Sequence, residues 1–227
     1  IRKYAALCIV CLCSSLYFLG LYHFDNKYSQ NTIQAANGIL ALSENDLKKS
    51  PVRFLVSGWE FYPDALLTPE EIQDSDHYMR YLSIGEMSNF SSPAAPSPYG
   101  CGTYRMTFFL PERKEAYAIE LPEVFSSYTL YLDHDRILQL GDPEQRIPLV
   151  QNRMVTFYGG KPVTLTIAVS NYDHFYGGIV YPPAFGTMLA VNTSRGIRFA
   201  FCLFSCTVTF VCALLSFYFS HRMKQKN

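Results

Sequence analysis

Val163-Thr164-Leu165-Thr166-Ile167-Ala168-Val169-Ser170 places apolar side chains at every second position, with β-branched residues throughout. A period of two puts Val163, Leu165, Ile167 and Val169 on one face and Thr164, Thr166 and Ala168 on the other. The stretch therefore reads as a strand buried on one side. Moving outward, 127–133 alternates as well, with Tyr128, Leu130 and Leu132 opposed to Thr129 and Tyr131. Tyr117, Ile119 and Leu121 alternate with Ala118 and Glu120. Further strand-like runs fall at 38–42, 52–56, 79–84, 103–110, 136–140, 154–158 and 184–191. Turn chemistry separates them, as in Pro111-Glu112-Arg113, Asp133-His134-Asp135, Gly141-Asp142-Pro143 and Gly159-Gly160-Lys161-Pro162. Segment 89–102 carries Pro93, Pro96, Pro98, Gly100 and Gly102 and reads as a long loop. Many short strands without βαβ alternation predict an all-β sandwich or barrel.

The two ends of the chain are different. No charged residue falls between Tyr4 and Tyr22, nor between Phe199 and Ser220. Each run has about 20 residues, the length that crosses a hydrocarbon core as a helix. Arg2 and Lys3 precede the first run; Arg222, Lys224 and Lys226 follow the second. Cationic flanks favour the cytoplasmic side, so both termini are expected inside and the middle of the chain outside. Arg195 and Arg198 weaken that bias without reversing it, since two crossings return the chain to its starting side. The first run lacks a small-x-small cleavage site and reads as an uncleaved anchor. The expected layout is an anchor at 1–24, a linker at 25–36, the β-domain at 37–192, a second span at 197–220 and a basic tail at 221–227.

Composition narrows the chemistry. Nineteen basic residues balance nineteen acidic ones, which gives no field to attract nucleic acid. Six of the seven cysteines lie in the terminal runs, where cysteine acts as a small hydrophobe. Cys101 stands alone in the middle, so no internal disulfide is expected there and the core must hold the domain by itself. There is no ligand-spaced Cys/His cluster, no Ser-His-Asp order, no phosphate-cradling glycine loop and no HExxH. Paired carboxylates of the kind that flank a glycosidic bond are not discernible. The chain is expected to be non-catalytic, with no cofactor and no metal.

Several short motifs occur in a telling order. Asn37-Gly38-Ile39-Leu40 is followed by Gly58-Trp59-Glu60-Phe61-Tyr62 and Leu67-Thr68-Pro69-Glu70. Gly100-Cys101-Gly102-Thr103-Tyr104-Arg105 comes next, then Tyr128-Thr129-Leu130-Tyr131-Leu132-Asp133, Gly141, Val169-Ser170-Asn171-Tyr172 and Gly177-Gly178. In this order they resemble the extracellular domain of bacterial seven-transmembrane receptors with diverse intracellular signalling modules. The resemblance covers about residues 37–190. It implies a jelly-roll, galactose-binding-like sandwich, similar to the sugar-binding domain of glycoside hydrolase family two. It also implies a membrane bundle and a kinase or diguanylate cyclase output. This chain opens on Ile1 and stops eight residues past Phe219, without further helices, so it is expected to be a piece of a longer receptor.

Candidate site residues follow. Asn171-Tyr172-Asp173-His174-Phe175-Tyr176-Gly177-Gly178 sets amide, carboxylate, imidazole and phenol groups directly after the clearest strand. Asn171, Tyr172, His174 and Tyr176 either converge on a small polar ligand or form a packed turn. Trp59, the only tryptophan, could stack on a sugar ring, although its neighbours Phe61 and Tyr62 favour a core position. Arg105 should point away from Tyr104 and needs an anionic partner, for which Glu60 is available. Asp133-His134-Asp135 has the look of a metal triplet but suits a hairpin tip better. The expected function is extracytoplasmic ligand sensing, with a non-catalytic membrane-complex subunit as the alternative. Expected partners are the bilayer, a small polar or glycan ligand, and a membrane protein or second copy, with no nucleic acid.

Overall fold

The computed structural model describes residues 2–28, 31–74, 76–85, 90 and 97–224. Residues 89 and 91–96 of the expected loop, and 225–227 of the basic tail, lie outside them. In chain order the elements are α1 (Arg2–Asp25), β1 (Ile39–Ala41), α2 (Glu44–Lys49), β2 (Val52–Phe54), β3 (Trp59–Pro63), α3 (Pro69–Asp74) and β4 (Arg80–Leu82). They continue with β5 (Gly100–Phe109), β6 (Tyr117–Leu121), β7 (Ser127–Leu132), β8 (Asp135–Leu140), β9 (Arg153–Phe157), β10 (Val163–Asn171), β11 (Ala184–Thr187) and α4 (Met188–Lys224).

The strands form two sheets. One runs β4-β3-β5-β10-β7-β8, with β1 added in parallel beside β5; the other runs β2-β11-β6-β9. Every pairing except β1 with β5 is antiparallel. The sheets meet through aromatic rings. Phe108 of β5 lies 5.7 Å from Phe157 of β9 and 5.2 Å from Phe185 of β11, and Tyr117 of β6 stacks on Phe185 at 5.9 Å. Such contacts make the two sheets the halves of one sandwich around a shared apolar core.

β10 is the centre of the larger sheet, and its burial differs from the expectation. Thr166 is fully buried and Ala168 nearly so, so both faces of the strand are covered, not one. The reason lies in the register. Thr166 sits directly between Arg105 of β5 and Tyr131 of β7, and residues directly opposite share a face. The longer neighbours shield the short hydroxyl side chain between them.

Two buried polar groups, one in each sheet, are handled differently. The Arg53 side chain is almost wholly enclosed and donates to the carbonyls of Asp46 and Ser50, both at 3.0 Å. It thus satisfies the carbonyl end of α2, where a cation is favoured. Tyr128 of β7 is fully buried, and its hydroxyl meets no hydrogen-bond partner among the described residues.

The last strand and the last helix form one continuous element. The sequence reads 184–191 as strand, but the structure ends β11 at Thr187 and begins α4 at Met188. Thr187 explains the switch, because its hydroxyl accepts from the Ala190 amide at 3.3 Å and caps the helix. The opening turns of α4 pack on β11, β6 and β2. From Met188 to Tyr218 the helix is long and apolar enough, by length and composition, to cross a membrane. It is the one such helix among the described residues; the apolar run of α1, Cys8–His23, is shorter. The C-terminal run of the expected layout is thus long and apolar enough to span a membrane, while a second span at α1 is not shown among the described residues.

Candidate functional site

Asn171 is the last residue of β10 and pairs with Gly100, the first of β5. Its side chain is buried. The amide donates to the Pro98 carbonyl at 2.8 Å and to the His174 carbonyl at 2.5 Å, while its oxygen accepts from the His174 amide at 3.2 Å. Asn171 therefore joins two loops and closes a turn over itself, a use for which asparagine is well suited. These three bonds all go to backbone, so it acts as a support for the site.

The turn presents a group of rings. His174 stacks on Phe125 at 4.7 Å and on Phe175 at 4.9 Å. Tyr176 lies 4.1 Å from Phe175, and Tyr181 meets Phe125 edge-on at 6.2 Å. Nδ1 of His174 accepts from the Tyr176 amide at 3.1 Å, which leaves Nε2 to carry the proton of the neutral ring. Phe175 is 58% exposed, so the group forms an aromatic surface, with an imidazole N–H and a phenol as its polar members. Gly178 permits the path of the chain: it adopts a positive φ of 78°, and a Cβ there would strike the Tyr104 hydroxyl.

Tyr172 faces a different set of partners. The Arg146 guanidinium stands 3.8 Å above its ring, and the Cys101 thiol is nearby. Burial pushes that thiol up, Asp64 adds to the rise, and Tyr172 and Arg146 oppose it. A protonated thiol is a poor nucleophile, so Cys101 reads as packing.

The structure separates the remaining candidates from this loop. Trp59 is fully enclosed, donates from Nε1 to the Leu55 carbonyl at 3.0 Å, and meets Tyr104 edge-on at 6.3 Å. Its indole faces the core and presents no face to a sugar ring. Arg105 points opposite to Tyr104 and pairs with Glu60 at 3.2 Å across β3 and β5, in register. It lines a cleft of about 360 Å³ with Asp133, His134 and Lys161, apart from the aromatic surface. Asp133 and His134 form the tip of the β7–β8 hairpin, Asp133 taking a positive φ of 53°. His134 pairs outward with Glu70 at 2.7 Å. Among the described residues no group of three His, Cys, Asp or Glu is placed to hold a metal.

Phe125, Tyr181 and Arg146 were not visible as site residues in the sequence. Phe125 and Arg146 come from connections distant in the chain, brought to Asn171–Tyr176 by the sheet pairing, whereas Tyr181 belongs to the same loop.

The architecture is that of a β-sandwich carried on an apolar helix. No family model matches the chain, and no curated protein matches it. Among solved structures it is similar to glycoside hydrolase family two proteins. A family two member from Bacteroides cellulosilyticus DSM 14838 shares 13% identity at a TM-score of 0.48, over 60% of this chain and 20% of that one. A β-glucuronidase from Faecalibacterium prausnitzii shares 15% at 0.43, over 61% and 32%. A Ruminococcus gnavus β-glucuronidase shares 12% at 0.42, over 66% and 30%. The chain spans less than a third of the length of these enzymes. The two-sheet sandwich is defined by this chain's own strand pairings, independently of those similarities.

Proposed function

We propose that this chain is the ligand-sensing part of a bacterial membrane receptor, with a jelly-roll sandwich outside the cell and both termini inside. In this reading α1 and α4 are its membrane helices, and the signalling output, a kinase or cyclase, belongs to sequence outside the chain. One observation carries the proposal: the aromatic loop of 172–183 leads straight into β11, and β11 passes into α4 at Thr187 without an intervening residue. A ligand clamped on the loop would bear on the strand that continues as the helix. To bias the helix, it must bind two arrangements of that segment unequally.

The aromatic surface fits a small glycan, whose C–H faces pack on flat rings while its hydroxyls reach His174 and Tyr176. The expected result is a raised melting temperature when the full chain in detergent is titrated with cell-wall sugar fragments. At about 100 times the dissociation constant the stabilisation is about 2.7 kcal/mol, a rise on the order of 5–10 °C. Tyr172→Ala and His174→Ala should abolish the rise. An unchanged response in both variants would place the ligand elsewhere.

A second reading has its own support. Ile137 on β8, with Ile147, Leu149 and Val150 in the connection that follows, are each about half exposed, near the open side of the sandwich. An apolar strip beside an edge strand suits a protein partner. Under that reading the chain is a non-catalytic subunit of a membrane complex, and sugar titration would leave its stability unmoved.

A further inference from the structure

An open groove of about 810 Å³ runs between α1 and α4. Tyr17, Leu21, Phe201 and Cys202 line its length, and Lys27 and Arg198 stand at its mouth. The helices touch within it through Tyr17, whose hydroxyl meets that of Ser205 at 2.6 Å and whose ring stacks on Phe201 at 6.2 Å. From Arg198 to Ser205 the groove follows α4 for about 10 Å, and beyond Arg198 it lies within the charge-free part of the helix. Lys27 and Arg198 also line a second cleft, of about 200 Å³, against the smaller sheet. That chamber is lined by apolar and charged groups together, among them Arg195, Glu120 and Glu123. The two cations therefore stand where a chamber containing charged side chains and an apolar groove meet, near the start of α4.

We propose that this two-part cavity holds one phospholipid, with its phosphate between Lys27 and Arg198, its headgroup in the chamber and an acyl chain in the groove. The proposal rests on the reading of α1 and α4 as membrane helices. Charge supports it: three cations face two carboxylates in the chamber, and Arg195 lies 3.8 Å from Glu120. Lys27 and Arg198 are the cations that line both the chamber and the groove, where a phosphodiester would meet positive charge on two sides. The side chains at the mouth are placed from the sandwich side as well. Lys27 lies over the Tyr181 ring at 5.7 Å and Arg198 over Phe54 at 5.1 Å. Free phosphate would use the chamber alone; the continuous apolar groove selects a molecule with a hydrocarbon tail. Ala184 and Val191 line the chamber too, so the lipid would rest against the β11–α4 junction.

The test uses the full chain extracted from membranes into a nonionic detergent, with phosphatidylglycerol and a diacylglycerol of the same chains as probes. Native mass spectrometry should find one phospholipid retained per chain, and Lys27→Ala with Arg198→Ala should lower retention roughly tenfold or more. The charge-keeping pair Lys27→Arg with Arg198→Lys should retain it. Diacylglycerol should bind far more weakly. Equal binding of the two probes, or full retention by the alanine pair, would overturn the proposal. A benzophenone side chain placed at Cys202 should cross-link to lipid; adducts to protein alone would overturn the proposal in favour of a partner helix or second copy. If the chain washes out of membranes with carbonate, the membrane reading itself fails. If it stays in the membrane but retains no phospholipid, only this inference fails.

Discussion

Trp59→Ala should cost the domain about 3–5 kcal/mol of unfolding free energy, a large part of the 5–15 kcal/mol typical of a folded protein. The indole is fully enclosed, and the substitution removes both its packing against Tyr104 and its hydrogen bond to the Leu55 carbonyl. Trp59→Phe keeps a ring in the cavity and should cost less. Urea unfolding followed by circular dichroism provides the measurement. An alanine variant with unaltered stability would mean that the indole lies outside the core, where a sugar could stack on it.

The second large effect concerns alkaline pH. Burial pushes the Tyr128 phenol up to about 12, the Arg153 charge opposing the rise, against an ordinary value of about 10. Between those values the unfolded phenol gives up its proton while the folded one keeps it. The folded state then binds more protons, so stability declines as pH rises from about 10. The slope is at most about 1.4 kcal/mol per pH unit, or about 2.7 kcal/mol by pH 12. Burial also raises Tyr28, Tyr62, Tyr117 and Tyr131, which add to the same trend. Tyr128→Phe should remove the largest step. Near neutral pH it should leave stability unchanged or slightly improved, because the hydroxyl it deletes is buried without a partner among the described residues. Melting temperatures of both proteins from pH 7 to 12 give the comparison. Parallel curves would refute the assignment.

The strands with strict alternation were readable from sequence because each sees the core on alternate residues. β6 falls at the expected 117–121, and β10 at 163–171 extends the expected run by one residue. That extra residue is Asn171, held by its pairing with Gly100, a partner 71 positions away in the chain. The same pairing starts β5 at Gly100, within the segment read as a loop. β3 escaped notice as a strand because Trp59, Phe61 and Tyr62 are all buried, and Phe61-Tyr62 breaks the period. α2 and α3 are six residues each, too short for helical periodicity to show. Their caps were nevertheless written locally: Ser43 and Asp46 bond reciprocally, as do Thr68 and Glu71. The misread end of β11 has the same origin, since apolar Leu189 and Val191 continue the strand pattern while Thr187 already caps a helix.

Of the candidate site, the loop after β10 was readable as a run of polar and aromatic residues, and Glu60 as the partner of Arg105. Its assembly was not. Asn171 turned inward to hold the backbone, Trp59 and Arg105 went to other parts of the fold, Phe125 and Arg146 entered from remote connections, and Tyr181 joined from further along the same loop. A residue's type gives its chemistry, but which residues meet depends on strand order across both sheets.

Labelling from outside the cell tests the placement of the sandwich most directly. With the natural cysteines replaced, Tyr158→Cys introduces one thiol at a position 63% exposed, on the connection between β9 and β10. In intact spheroplasts a membrane-impermeant maleimide should label that thiol fully. Labelling only after the membrane is permeabilised would put the sandwich in the cytosol and contradict the account.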